Sequence, residues 1–306
     1  MKICIVGPGY MPIPPVGWGA CEILIWDYYQ TLTSKGHEVQ IVNTTNQRNM
    51  ISQINDFNPD VVHIQFDDYY WIADHVNFKT IITSHYAYLE QPNKHGNYSG
   101  IFNGFLNSNA KIFALSQGIK NTYVNHGRNP EDVTVLRNGV RFELFKFEEN
   151  GNDKSIYLAK IDYRKRQYLF QNIRDLYFAG NLSDSRFSSQ NYLGEWVKEQ
   201  VYENLTEFAN LVLLSDGEAH PLVCLEAMSA GLGLVISEFA TANLDLNLPF
   251  IDVIEENRIT DIEYVESVII NNRKKSLTMR NQIRNYAKTF DWNIIVDEYI
   301  EKLKQL

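Results

Sequence analysis

The chain is poor in cysteine, has no long apolar run and carries no excess of positive charge. Each lack removes a class of protein. The three cysteines, Cys4, Cys21 and Cys224, have no metal-ligand spacing and are too sparse for a disulfide framework. They read as small core residues of a reducing compartment. No apolar run reaches the roughly 18 residues a membrane span needs. Ile3-Cys4-Ile5-Val6 is too short for a signal-peptide hydrophobic region and reads as a first strand. Lys and Arg total 28 against 37 Asp and Glu, a formal charge of −9. The imbalance lies in the second half: residues 1–147 hold 11 basic and 12 acidic side chains, and the remainder hold 17 and 25. Such a chain is a poor partner for nucleic acid. The expectation is a cytoplasmic protein, with a peripheral membrane contact left open.

What is there is ordinary globular material: 306 residues, 44% hydrophobic and 21% charged, with 18 Tyr and 16 Phe. That length suits two domains. Short β-branched runs alternate with helical stretches. Strands are predicted at 2–6, 38–42, 60–64, 80–83, 111–115 and 133–136, then at 155–159, 175–179, 211–214, 234–236 and 250–253. Helices are predicted at 20–34, 117–125, 195–207, 222–230, 261–271, 275–288 and 291–306. Near-continuous apolar strands separated by helices imply parallel sheets buried on both faces. The fold class is therefore α/β, with two Rossmann-like halves and the expected site in the cleft between them. The charged stretch 143–154 reads as the linker. The domains expected are 1–147, 148–288 and a final helix, 289–306.

The segment Glu218-Ala219-His220-Pro221-Leu222-Val223-Cys224-Leu225-Glu226, continuing to Gly231, carries the strongest chemical signal. It follows the apolar run 211–214. Pro221 suits a helix's first turn, where its missing N–H is no loss, and Gly231 suits its end. The amides of Leu222 and Val223 can then bind an anion such as phosphate. Glu226 lies one turn deeper on the same face as Leu222. An acid before the helix mouth and one after it suit a nucleotide-sugar, with sugar, diphosphate and ribose in that order. On spacing alone, an ordinary strand–loop–helix with two solvated glutamates fits equally well.

Three further places carry weaker signals. The loop at 7–20, rich in Gly and Pro, leaves the carboxyl end of the first strand, where ligands bind in parallel sheets. Gly17 and Gly19 permit close approach to a ligand, although the G-x-G-x-x-G spacing of a dinucleotide fingerprint is not met. His85 falls at the end of another strand; by itself it reads as a structural histidine. Lys160 and Lys165 stand together after the first strand of the second half. They could neutralise a diphosphate or form a solvated basic turn. The residues at 65–68 do not form a metal site.

Taken in order, Gly17–Glu22, Gly36-His37-Glu38-Val39, Asp60 to His63, His85, Arg137-Asn138-Gly139-Val140 with Phe145, Lys160 and Lys165, and Glu218 with Glu226-Ala-Met-Ser-Ala-Gly resemble the retaining GT-B-fold glycosyltransferases of the large group-1 family. The resemblance covers nearly the whole chain. It implies two Rossmann-like domains, with the last helix crossing back to the first. It implies a nucleotide-diphosphate sugar, such as a UDP- or GDP-sugar, as donor, bound mainly by the second domain. Lys160 and Lys165 would hold the diphosphate, Leu222 and Val223 its distal phosphate, and Glu226 the ribose. Glu218 and His85 would flank the donor sugar, Gly17 and Gly19 would close on the diphosphate, and Glu218, His85 and Lys165 would form the catalytic set. The implied chemistry is transfer with retention, without metal or other cofactor, to a glycan or lipid-linked hydroxyl.

The chain departs from the family pattern in places. Lys160 stands where arginine is usual, Arg166 where glycine follows the lysine, and His220-Pro221 where an aromatic-glycine pair is more frequent. A nucleotide-sugar epimerase and a catalytically silent binding scaffold are the rival readings. The aromatic loops at 10–16, 67–71 and 86–98 are the expected acceptor side.

Overall fold

The computed structural model describes residues 1–16 and 19–305. Gly17, one of the two glycines expected at the donor, lies outside the described residues. The chain divides into two compact units, residues 1–138 with 292–306, and residues 139–291.

The first unit carries a parallel sheet of β1 (Lys2–Val6), β2 (Glu38–Val42), β3 (Val61–Ile64), β4 (Lys79–Ile82), β5 (Lys111–Ala114) and β6 (Val133–Val135). Their spatial order is β2-β1-β3-β4-β5-β6. Helices α1 (Ala20–Ser34), α2 (Gln47–Phe57), α3 (Ser99–Asn107) and α4 (Gln117–Asn125) connect them. The β-branched strands are buried on both faces: Ile3, Cys4, Ile5, Val6, Val62 and Ile64 are all fully buried, which only a sheet covered on both sides achieves. The order reverses between β1 and β3, so the loops leaving those strands flank a topological switch point.

The second unit repeats the plan with β7 (Ser155–Leu158), β8 (Leu176–Ala179), β9 (Asn210–Leu213), β10 (Gly233–Ser237) and β11 (Ile251–Ile254). Their order is β11-β10-β9-β7-β8, again parallel. Its helices are α5 (Gln167–Phe170), α6 (Lys198–Asn204), α7 (Leu222–Ser229) and α8 (Ile262–Ala287). Here the reversal lies between β7 and β9, which places the loops at 159–166 and 214–221 at the switch point.

The final helix, α9 (Trp292–Gln305), returns to the first unit. Trp292, Ile295, Val296, Tyr299, Ile300 and Leu303 form its buried stripe, the spacing of one helical face. Trp292 and Tyr299 pack on Tyr28 with ring centroids 4.7 and 5.2 Å apart. Trp292 Nε1 donates to Asp27 at 3.1 Å. No helix among the described residues is long and apolar enough to cross a membrane.

The structure corrects three sequence expectations. The boundaries fall after Asn138 and Asp291 rather than after 147 and 288. The charged stretch carries a buried anchor into the second unit, Phe145 at 3% exposed, and just before it the Val140 amide donates to Phe290 O at 2.8 Å. The two helices expected at 261–271 and 275–288 are one, α8. The polar run that suggested a break is turned inward. Asn272 is fully buried and donates to Leu234 O, Phe250 O and Asp252. Helices α2 and α3 were not anticipated. The first is mostly polar and is defined by its cap, where the Asn46 side chain accepts from Asn49 N at 3.0 Å.

Helix α8 anchors the second unit through guanidinium groups. Arg280, 2% exposed, donates to Glu148 O at 2.8 Å, Phe208 O at 2.8 Å, Thr206 O at 2.6 Å and Ala230 O at 3.1 Å. Burial lowers its pKa to about 10, so it stays charged at neutral pH. Removing it strands several buried carbonyls at once. Arg280→Met should therefore cost the second unit about 3 kcal/mol or more, read as a lowered calorimetric transition, and a loss below about 0.5 kcal/mol would contradict this role.

Candidate functional site

In the second unit, two loops meet at the switch point and are tied together. Tyr157, fully buried on β7, accepts from Leu214 N at 2.9 Å and donates to the Lys165 carbonyl. The Asp216 amide donates to Arg164 O at 2.8 Å, and Arg164 Nη1 donates to Gly217 O at 2.6 Å. Residues far apart in sequence are thus held as one surface.

On that surface Glu218 forms an ion pair with Lys165, both side chains being 10% exposed. Arg164 Nη1 stands 3.3 Å from the same carboxylate oxygen. Burial pushes the Glu218 carboxyl up, but Lys165 and Arg164 outweigh it and hold the group below the usual carboxylate range. Burial pulls the Lys165 ammonium below the usual lysine range, with Arg164 adding to the shift and Glu218 opposing it. The pair is a charged unit in which the carboxylate keeps the lysine protonated. Beside it, Arg166 adopts a left-handed backbone, φ 59°. Its guanidinium bridges Asp216 at 2.8 Å and Glu256 at 2.9 Å, which holds the unusual conformation. Lys160 is exposed at the end of β7, and its carbonyl accepts from Gln167 Nε2 at 2.9 Å.

Glu218 leads directly into α7. Pro221 is the N-cap residue, with ψ 111°, rather than a first-turn residue, and no side chain caps the helix. A proline has no side-chain acceptor to offer, so the first amides, Leu222 and Val223, are left open toward the loop. The opposite end is occupied. Arg284 Nη1 donates to Ser229 O at 2.5 Å and Arg280 to Ala230 O at 3.1 Å, cations placed where the helix dipole is negative. One turn in, Glu226 forms an ion pair with Lys198 of α6, side chains 12% and 21% exposed. Each of the two glutamates is therefore matched by a lysine, with the open amides between them.

The structure brings Glu218 and Lys165 into contact and sets Leu222, Val223 and Glu226 on one helix. Sequence reasoning missed Arg164, Arg166 and Lys198. The run Arg164-Lys165-Arg166 was a visible signal; Lys198, 28 residues before its partner, left none.

In the first unit, Gly19 caps α1 with φ 137°. That φ is one L side chains rarely adopt, so the glycine is required by conformation. His85 is half-buried, and burial lowers its pKa to about 4, so the ring is neutral. Its Nε2 lies 2.8 Å from Gln65 Oε1, an acceptor, so Nε2 bears the proton and Nδ1 is the ring's acceptor. Gln65 in turn contacts His63 at 3.2 Å, and His63 meets Thr83 Oγ1 at 2.8 Å. Nearby, Asp67 Oδ1 is buried without a hydrogen-bond partner among the described residues. Burial pushes this carboxyl up to about 7, against the hydroxyls of Ser84 and Tyr98 and with the Asp68 charge. Among the described residues no three His, Cys, Asp or Glu side chains converge as a metal site.

Comparison with solved structures decides the architecture. HepE from Anabaena, crystallised with UDP-glucose, is similar over the whole of both chains, with a TM-score of 0.75 at 15% identity. Sucrose-phosphate synthase from Thermosynechococcus elongatus has a TM-score of 0.78 at 13% identity, covering 99% of this chain and 98% of that one. WaaG, a glycosyltransferase involved in lipopolysaccharide biosynthesis, has a TM-score of 0.70 at 15% identity, covering 98% and 99%. The fold is GT-B. Residues 42–144, most of them in the first unit, match the family described as Glycosyltransferase Family 4. No curated protein matches the sequence.

The raised Asp67 pKa gives a signed prediction for this GT-B chain. A carboxyl at about 7 in the folded state, against about 3.9 in the unfolded chain, contributes stability below about pH 4 that is lost as pH rises through 7. Asp67→Asn should change little at pH 4 and stabilise the first unit at pH 8 by an amount on the order of 2 kcal/mol. Equal shifts in melting temperature at both pH values would contradict it.

Proposed function

We propose that this chain is a retaining glycosyltransferase that moves a sugar from a nucleotide diphosphate to an acceptor hydroxyl. One observation carries the reading: the uncapped amino end of α7 lies at the switch point of the second sheet, between two lysine-matched glutamates. Open amides and a helix dipole bind the distal phosphate. Lys165 has three N–H donors, so it can keep Glu218 and still bond a phosphate oxygen, and Lys160 supplies a second cation. Glu226 takes the ribose side and Glu218 the sugar side. On this reading His85 is a neutral partner for a sugar hydroxyl rather than an acid, since its ring stays unprotonated until about pH 4.

In the proposed reaction the anomeric carbon–phosphate oxygen bond breaks and its electrons leave with the diphosphate. The acceptor oxygen bonds that carbon from the same face and passes its proton to the departing phosphate oxygen. The protein orients both partners and stabilises the leaving charge with cations and amides. These groups supply the charge neutralisation that a metal would otherwise provide, so turnover should survive EDTA. The acceptor we expect is a glycan or lipid-linked hydroxyl, held by the aromatic loops of the first unit, where Tyr10 is 69% exposed. A cytoplasmic enzyme working at a membrane face fits such a substrate.

A thermal-shift panel of UDP- and GDP-sugars, followed by hydrolysis and transfer assays, tests the reading. Stabilisation by at least one donor and a product of unchanged anomeric configuration are expected, and silence across the panel would remove the proposal. Lys165→Ala should lower turnover by about 10²-fold or more. Because Lys165 must be protonated, activity should fall as pH rises through its lowered pKa. Glu218→Gln removes the charge that opposes this lowering, so the alkaline limb of residual activity should move to lower pH. An alkaline limb that stays put would show that Glu218 does not tune the lysine.

A further inference from the structure

We propose that Lys198 is a nucleotide-recognition residue that works with Glu226 as a dyad for the ribose diol, and so selects ribonucleotide over 2′-deoxyribonucleotide donors. The inference rests on the donor-site reading above.

The observation is the ion pair itself. Lys198 opens α6 and reaches Glu226 on α7, with both side chains largely withdrawn from water. Its ammonium also lies 5.4 Å from the Tyr202 ring. A withdrawn ion pair is a poor device for holding two helices together, because well-packed apolar residues often do so as well or better. Val201 in α6 and Leu205 just beyond it, 6% and 0% exposed, are already buried apolar anchors there. The pair therefore calls for another reason.

Electrostatics supplies the first part. Glu226 stands one turn beyond the open amides of Leu222 and Val223. Left alone, its carboxylate would repel a diphosphate bound there. Lys198 cancels that charge while leaving the carboxylate oxygens as acceptors.

Hydrogen-bond chemistry supplies the second part. Each ribose hydroxyl is one donor and also an acceptor. A lone carboxylate can only accept, so it meets half of what a diol offers. An ammonium beside it adds donors for the hydroxyl oxygens. A carboxylate–ammonium pair thus matches two vicinal hydroxyls in both senses. A 2′-deoxy ligand forfeits the hydrogen bonds of one hydroxyl to the dyad, which weakens binding.

Calorimetric titration of the purified chain with UDP, GDP and their 2′-deoxy forms tests this. The wild type should bind its preferred ribonucleotide about tenfold or more tightly than the 2′-deoxy form. Lys198→Met should reduce that ratio to about threefold or less, while Lys198→Arg should retain most of it. Two results overturn the dyad: a wild type that binds both sugar forms alike, which needs no variant to show, or an unchanged ratio in a folded Lys198→Met protein. A wild type that binds neither UDP nor GDP overturns the donor-site reading first, and the dyad with it.

Discussion

Glu218 can remain ionised in a nearly dry site only because Lys165 and Arg164 stand against it, and the rest of the second unit's chemistry depends on that pairing. Neither partner tolerates the site alone. An uncompensated carboxylate there would take up a proton, and an uncompensated lysine would lose one. The backbone is organised to keep them in register. Tyr157 joins the two loops through its hydroxyl, and the Asp162 carboxylate accepts from the Lys165 amide at 2.9 Å. On the proposed function, a charge placed so firmly would meet a leaving anion without reorganising, which is where preorganised sites gain most.

Helix α7 connects that site to the core through its polarity. It is apolar nearly all round, with Cys224, Leu225, Ala227 and Met228 buried, so packing fixes its position. Its amino end is left open, while its carboxyl end is bonded by Arg280 and Arg284. Both arginines come from α8, whose length lets one helix brace α7 and also reach the carbonyls of 145–148. Gly231 follows at φ 85°, where a Cβ would meet the Phe147 ring at 2.7 Å. On the proposed function, stability and ligand affinity are therefore coupled in one short element. The cations that satisfy its far carbonyls also reinforce the dipole at its open amides.

The strands were legible because parallel sheets demand continuous β-branched runs, and runs such as Ile3 to Val6 and Leu211 to Leu213 leave little ambiguity. The acid pair and the lysine pair were legible as spacing. Contact between Glu218 and Lys165 was not, since it needs two loops from strands that become neighbours only when the sheet order reverses. Charge misled the reading elsewhere. Asn272, Arg273 and Lys274 look like a helix break, yet Asn272 and Arg273 turn inward to bond the ends of β-strands. The stretch 143–154 looks like a linker because its charges hide two aromatic anchors, Phe145 and Phe147. Lys198 could not be found from spacing, because nothing local marks it as the partner of a residue on another helix.

The two units differ in the kind of polar group they present near their switch points. The second unit presents matched charges: Glu218 with Lys165, Glu226 with Lys198, and Arg166 between Asp216 and Glu256. The first presents neutral imidazoles and a carboxyl that ionises only near neutral pH. His85 is unprotonated, Gln65 relays between two neutral histidines, and Asp67 stays largely protonated below about pH 7. An anion leaving with a full bond's electrons needs cations already in place. A hydroxyl entering as a nucleophile needs its oxygen positioned and its proton free to depart. Strong charge beside that oxygen would hinder it: a cation would withdraw its electron density, and a carboxylate would bind its proton in place of the phosphate. On the proposed function, the neutral imidazoles of His63 and His85 place no cation beside that oxygen.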